Sequence, residues 1–206
     1  MTCVVGIADG KAVWIGADTI AVSGWDKRIS LVKKVFVDSQ FIVGYTSSFR
    51  MGQILQYHID WKDLRETYIN TEDKLGCMVT TLIPMVREQF KELGFSKISD
   101  NEEEGGIFMI GVDGKLFTVH KDFQVQEFEP HQTDSPYPDL AFDAIGCGED
   151  YAKGALQAYF VLMYDTSNII RPLAMDRMIS LAIRSASMYS IGVNAQNFTL
   201  SVGEDR

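Results

Sequence analysis

The sequence predicts one α+β domain built as a four-layer αββα sandwich. Three observations support this fold: strands and helices alternate in groups, two Asp-Gly turns each separate a pair of apolar strand-like runs, and the helices come in two pairs. Two sheets packed face to face, with a helix pair on each outer side, bury all of these apolar faces. The 206 residues contain no repeat or flexible linker, so a single domain over 1–206 is expected.

The strands are predicted from turn chemistry and apolar runs. Residues 2–8 and 11–19 flank Asp9-Gly10, and Asp-Gly favours the tight type I′ turn of a hairpin. Asp113-Gly114 separates a second pair of runs in the same way. A loop containing Gly24 is expected between the first hairpin and the next strand. The remaining strands are predicted at 35–37, 41–45, 107–112, 115–120, 123–128, 141–145 and 197–202.

The first helix pair follows the early strands. Ser48 is suited to cap a helix that is expected to run to about Asp60. From Leu75 to Leu93, apolar residues recur at spacings of three and four, which predicts one amphipathic helix. Pro84 predicts a kink or a late start in this helix.

The second helix pair lies in the last third of the chain. Glu149-Asp150 opens a helix favourably, because acidic groups suit a helix N-terminus, and this helix is expected to run to about residue 164. A further helix is predicted at about 174–190. The segment 100–104 (DNEEE) is predicted to be an exposed acidic loop, and 130–139 a second loop.

Composition argues against several classes of protein. The formal net charge is −9, whereas general nucleic-acid binding depends on basic patches. No apolar run approaches the ~18 residues that a membrane span needs, and the start lacks the basic region of a signal peptide. Three widely spaced cysteines and isolated histidines predict neither a disulfide framework nor a metal site. A cytoplasmic protein is expected.

The start of the chain carries the chemistry. A threonine hydroxyl is a weak nucleophile at neutral pH and needs a nearby base. In an N-terminal threonine, the α-amine itself can be that base, because its ordinary pKa is near 8. Thr2 follows Met1, and a small second residue generally permits removal of the initiator methionine, so the mature chain is expected to begin at Thr2.

Two charged residues are candidates to support Thr2. Asp18 ends the second strand of the first hairpin, and the hairpin brings it towards Thr2. Lys33 and Lys34 precede an apolar strand, so one of them points inward and the other towards solvent. An inward ammonium disfavours protonation of a neighbouring amine and lowers the pKa of that amine.

These residues and three further motifs resemble the β subunits of proteasomes, and more closely the bacterial HslV peptidase and its proteasome-like relatives. The matching motifs are Thr2-x-x-Val5-Gly6-Ile7, Gly16-Ala17-Asp18, Ser23-Gly24, Lys33-Lys34-Val35, Gly44-Tyr45 and Gly146-Cys147-Gly148. The resemblance covers most of the chain and weakens after about residue 170. It implies an N-terminal nucleophile hydrolase fold and a threonine endopeptidase that needs no cofactor or metal.

The resemblance also implies roles. Thr2 would be the nucleophile, Lys34 the cation that lowers the pKa of its amine, and Asp18 the carboxylate that fixes Lys34. The backbone N–H of Ser47 would stabilise the oxyanion. Cys147 stands where the family has a serine whose hydroxyl lies near the nucleophile's amine. A substrate pocket is expected to be lined by Ala21, Val32 and Tyr45.

Three departures from the family pattern keep other interpretations open. The family usually has glycine at Ser47 and serine at Cys147, and its late Arg-Asp-Ser motif corresponds here to Met188-Tyr189-Ser190, which lacks the aspartate and keeps only the serine. The chain could therefore be a weakly active or inactive proteasome-like assembly protein. It could also be a small-substrate amidohydrolase of the same superfamily, for which Cys3 is an alternative nucleophile.

The expected binding partners of this protein are implied by the family resemblance alone. It implies self-association into a ring or barrel that confines polypeptide substrates. A separate ATP-driven unfoldase is a candidate partner by analogy, since this chain carries no nucleotide-binding motif. No nucleic-acid or membrane partner is expected.

Overall fold

Two antiparallel sheets organise the molecule in the computed structural model, which describes residues 2–23, 26–99, 102–130, 139–165 and 173–203. The strands are β1 (Cys3–Ala8), β2 (Ala12–Asp18), β3 (Ile20–Ser23), β4 (Asp26–Ile29), β5 (Val35–Asp38), β6 (Phe41–Tyr45), β7 (Lys97–Ser99), β8 (Glu102–Glu104), β9 (Phe108–Val112), β10 (Lys115–Val119), β11 (Val125–Phe128), β12 (Ala141–Gly146) and β13 (Asn197–Gly203). The first sheet has the order β12-β1-β2-β13 and the second β11-β10-β9-β6-β5. The pairs β3–β4 and β7–β8 form separate small hairpins.

Helices cover the outer faces of the two sheets. They are α1 (Phe49–Tyr57), α2 (Trp61–Ile69), α3 (Lys74–Cys77), α4 (Ile83–Glu92), α5 (Glu149–Asp165) and α6 (Met175–Tyr189), with a π-helical segment, Met78–Leu82, joining α3 to α4. The helices α1 to α4 pack on the second sheet, and α5 and α6 pack on the first.

Strand alternation distributes the core into three apolar clusters. On β1, Val4 lies in the cluster between the two sheets, whereas the next residue, Val5, packs against α5 and α6. On β6, Ile42 faces the other sheet and Val43 faces the helices α1 to α4. Helix, sheet, sheet and helix therefore follow one another as four layers, and the predicted αββα sandwich is confirmed.

The helical layer on the second sheet differs from the prediction. Ser48 caps α1, but that helix ends at Tyr57, and Asp60 instead caps the unpredicted helix α2 by accepting a hydrogen bond from the N–H of Asp63. Pro84 lies in the first turn of α4, which begins at Ile83, in agreement with the predicted late start. Because a proline supplies no N–H, the helix widens before it, and the Ile83 N–H bonds to Met78 O five residues back.

Two predicted loops are short hairpins. The loop expected around Gly24 is occupied on both sides by β3 and β4, while Gly24 itself lies outside the described residues. In the acidic segment, Glu102–Glu104 is a strand, and Glu103 accepts hydrogen bonds from Arg87. The contact between Arg87 and Glu103 holds Glu102–Glu104 against the protein, so this part of the predicted loop is a strand. Most of the predicted loop 130–139 lies outside the described residues.

Candidate active site

Thr2, Asp18 and Lys34 meet beside the start of β1. The register of the first hairpin pairs Val4 with Ala17, so Asp18 lies across from the first residues of the chain. Lys34 reaches the same place from the residue before β5. All three are buried, with at most 3% of their surface exposed. The structure thus brings together the three residues that the sequence singled out.

One carboxylate oxygen organises this cluster. Asp18 Oδ1 accepts a hydrogen bond from the Thr2 hydroxyl, and a second from the Cys3 N–H at 3.0 Å. Lys34 Nζ donates to the same oxygen at 2.9 Å and to Thr2 Oγ1 at 2.5 Å. The ammonium is therefore fixed against the threonine oxygen, and the carboxylate holds both.

Burial shifts the pKa values of two neighbouring groups. Burial lowers the pKa of the Lys34 ammonium, although the charge of Asp18 acts in the opposite direction. Burial also raises the pKa of the Cys3 thiol, with Asp18 adding to the effect. Cys3 is fully buried and remains protonated, which is unfavourable for its use as a nucleophile.

The turn after β6 presents a backbone donor to the site. Thr46 N–H bonds to Ile107 O at 3.3 Å, and Ser48 N–H bonds to Thr46 O at 2.8 Å, which closes a γ-turn. Ser47, in the middle, has a φ of 71°, in the left-handed region that favours glycine. Within the described part of the chain, the Ser47 N–H has no hydrogen-bond partner.

A small cavity opens beside Thr2 and Lys34. Of the expected pocket residues, Tyr45 lines it, but Ala21 and Val32 do not. Alternation along β3 places Val22 on the cavity wall in place of its neighbour Ala21, and Val32 lies in an exposed segment after β4. The other residues that line the cavity are Thr46, Ser47, Ser48 and Phe49.

Tyr45 is held rigidly in the cavity. Its hydroxyl donates to Lys33 O at 3.0 Å, and burial raises its pKa to about 12, so the hydroxyl stays neutral. A Cβ added to Gly52 would lie 2.0 Å from the Tyr45 ring, so that ring packs directly on the backbone of α1. Sequence reasoning missed Val22 and Phe49. Two sequence features could have indicated that these residues line the cavity. Val22 lies in the strand-like run that forms β3, and Phe49 follows the residue that caps α1.

Cys147 and Ser190 are joined to Thr2 by hydrogen bonds and do not line the cavity. Cys147 Sγ donates to Thr2 O at 3.3 Å, and Ser190 Oγ donates to Cys147 O at 3.1 Å and lies 3.4 Å from its sulfur. Gly146 precedes them with a φ of 99°, and a Cβ there would lie 2.3 Å from Thr2 O. Glycine is therefore required for β12 to approach the candidate nucleophile.

The part of the chain that the structure describes meets neither the requirements of a metal site nor those of a membrane span. Over 2–23, 26–99, 102–130, 139–165 and 173–203, no three His, Cys, Asp or Glu side chains cluster in a way that could hold a metal. Among those same residues, no helix has the length and apolar character needed to cross a membrane.

Two facing antiparallel sheets with helices on both outer faces make up the fold, and a buried Thr-Asp-Lys cluster lies at the start of β1. Solved structures share this fold. The chain is similar to BPH, a bacterial proteasome homologue, from Thiobacillus denitrificans, at 18% identity over 98% of this chain and 97% of that one, with a TM-score of 0.71. The same protein in complex with epoxomicin gives 17% identity, 99% and 100% coverage, and a TM-score of 0.72.

A further relative is eukaryotic HslV from Trypanosoma brucei, at 15% identity over 98% and 99% of the two chains, with a TM-score of 0.61. An Anbu mutant from Hyphomicrobium sp. strain MC1 gives 16% identity, 98% and 82% coverage, and a TM-score of 0.62. The sequence matches no protein-family model and no curated protein. The fold of this chain is that of the proteasome-like N-terminal nucleophile hydrolases.

Proposed function

We propose that this protein is a threonine endopeptidase whose nucleophile is Thr2, freed by removal of Met1. The observation that carries this proposal is the buried contact of Lys34 Nζ with Thr2 Oγ1 at 2.5 Å, with Asp18 accepting from both groups. Burying an ammonium and a carboxylate costs free energy, and such groups cluster at functional sites, which favours a catalytic role over a purely structural one. The fold shared with proteasome homologues favours the same assignment.

The first step is attack by Thr2 Oγ1 on the carbonyl carbon of a peptide bond. The α-amine of Thr2 accepts the hydroxyl proton, which requires the amine to be neutral. Lys34 disfavours the protonated amine by like-charge repulsion and stabilises the developing alkoxide through its hydrogen bond to Oγ1. Asp18 keeps the ammonium in place.

The tetrahedral intermediate needs a donor for its oxyanion. Ser47 lines the same cavity as Thr2, and its N–H is the donor we assign. Collapse of the intermediate breaks the C–N bond, and the Thr2 ammonium returns its proton to the leaving amine. Water, activated by the same amine, then hydrolyses the ester and releases the acyl product.

The side chains that line the cavity suggest which type of residue the acyl half of the substrate places there. Val22, Tyr45 and Phe49 form an apolar wall, so we propose that the residue before the scissile bond is apolar. We further propose that copies of the chain associate into a ring or barrel that admits unfolded polypeptide, with a separate ATP-driven unfoldase as a candidate partner.

The test is a set of matched lysine and threonine variants. Thr2→Ala and Lys34→Ala should abolish hydrolysis of a peptidyl-aminocoumarin while leaving the oligomeric state, measured by sedimentation, unchanged. Lys33→Ala is the control, because the neighbouring Lys33 is exposed and makes no contact with Thr2. Full activity of Thr2→Ala would refute the proposal.

One observation favours a second candidate, an assembly protein with weak or no activity. Ser47 holds a backbone conformation that favours glycine, and its side chain adds bulk to the cavity. If wild-type protein lacking Met1 assembles but hydrolyses no peptide, this second candidate replaces the first.

A further inference from the structure

An exposed aromatic and aliphatic patch lies at the ends of the two helices that cover the first sheet. Tyr151 in α5 and Tyr189 at the end of α6 stack, with ring centroids 5.3 Å apart and an interplanar angle of 27°. Tyr189 is 73% exposed, Met188 77% and Ile191 82%. We call these four residues the tyrosine shelf. Large apolar side chains that cluster on a surface commonly mark a binding site.

The tyrosine shelf is continuous with the candidate active site. Ser190 lies between Tyr189 and Ile191, and its hydroxyl donates to Cys147 O. The Cys147 thiol in turn donates to Thr2 O. Two hydrogen bonds therefore join the nucleophile's own backbone to the segment that carries the shelf.

The cavity and the shelf are built by different elements. The cavity wall comes from β3, β6 and the start of α1, whereas the shelf comes from the ends of α5 and α6, beyond the Gly146 turn. A peptide whose carbonyl carbon meets Thr2 Oγ1, with its oxygen towards the Ser47 N–H, places its acyl half along the cavity. Its leaving half then runs away from the cavity, and Cys147 and Ser190, which do not line the cavity, are joined to Thr2 by hydrogen bonds.

We propose that the tyrosine shelf binds apolar residues on the leaving side of the scissile bond, and this inference rests on the peptidase function proposed above. We assign the shelf to residues beyond the first one after the cut, because the hydrogen bonds from Cys147 to Thr2 and from Ser190 to Cys147 separate the shelf from Thr2. Flat aromatic faces suit aromatic and branched aliphatic partners, because such contacts bury a large apolar area. The acidic Glu149 and Asp150 nearby also favour the new ammonium group of the leaving peptide.

The test compares two substrates with the same acyl peptide. One ends in aminocoumarin and has no residue after the scissile bond, and the other is an internally quenched peptide with three apolar residues there. Tyr189→Ala should lower kcat/KM for the extended peptide roughly three- to tenfold and leave the aminocoumarin substrate unchanged. Tyr189→Phe should restore it, because the ring is retained.

Leu181→Ala is the matched control, since Leu181 is an exposed apolar residue two turns earlier in α6. Equal loss with both substrates, or no loss with either, overturns the inference while wild-type hydrolysis still supports the peptidase. A changed sedimentation coefficient for Tyr189→Ala also overturns it, because the shelf is then a contact between copies. Failure of the wild-type protein to cleave either substrate refutes the peptidase and the shelf together.

Discussion

Ser47→Gly is expected to stabilise the protein and raise its activity together. The φ of 71° costs an L-residue about 1–2 kcal/mol, and glycine adopts it freely. Glycine also makes the unfolded chain more flexible, which costs about 0.4–1 kcal/mol. The net gain of ~0.5–1 kcal/mol corresponds to a rise in Tm of about 1–4 °C for a domain of this size. Loss of the side chain also opens the cavity beside Thr2, so kcat/KM should rise.

Thermal unfolding by circular dichroism and peptide hydrolysis measure the two effects. Ser48→Gly is the matched control one residue along, and its expected sign is opposite. Ser48 has an extended φ of −139° and its side chain caps α1 by accepting from the Met51 N–H at 3.3 Å, so glycine there lowers Tm. A fall in Tm for Ser47→Gly as large as that for Ser48→Gly would refute this explanation of the turn.

Two further predictions concern pH and packing. Because burial lowers the pKa of Lys34, kcat/KM should begin to fall at a pH below ~10.4, the value at which an exposed lysine titrates. A fall that begins only at or above that pH would contradict the role of the ammonium. The lowered pKa also affects stability. The contribution of Lys34 to the free energy of unfolding should increase as the pH rises from the folded-state pKa of Lys34 to its unfolded-state pKa. Urea unfolding at several pH values measures this increase. Gly52→Ala should lower the unfolding free energy by about 1–3 kcal/mol, because its Cβ would lie 2.0 Å from the Tyr45 ring. Gly154→Ala in α5, with open space around the new Cβ, should raise it by up to ~1 kcal/mol, and equal losses at both positions would contradict the packing described here.

The candidate catalytic cluster could be predicted because its geometry is local. Asp9-Gly10 sets the turn of the first hairpin, and that turn fixes the register that brings Asp18 to the start of β1. Lys34 precedes β5 and is buried, whereas its neighbour Lys33 is exposed, as expected if one of the two points inward. The place of Lys34 beside Thr2 was implied by the family resemblance.

The pocket wall could not be predicted in the same way. Ala21 and Val32 were expected to line it, but which face of β3 meets the cavity depends on how the β3–β4 hairpin sits outside both sheets. Helix α2 was missed because Asp60 was interpreted as the end of α1. In the sequence, an aspartate after a helical run can be either the end of that helix or the N-cap of the next one. Only the three-dimensional structure distinguishes these alternatives.

The intact mass of the purified protein, before and after treatment with an epoxyketone, tests the central claim most directly. Epoxomicin is bound in the solved structure of Thiobacillus denitrificans BPH, and its ketone and epoxide suit a hydroxyl and an amine on one residue. We predict a chain that lacks Met1 and gains the mass of one inhibitor on Thr2, with no adduct on Thr2→Ala. A chain that keeps Met1 after correct expression, or an adduct that persists in Thr2→Ala, would contradict the assignment of Thr2 as the nucleophile.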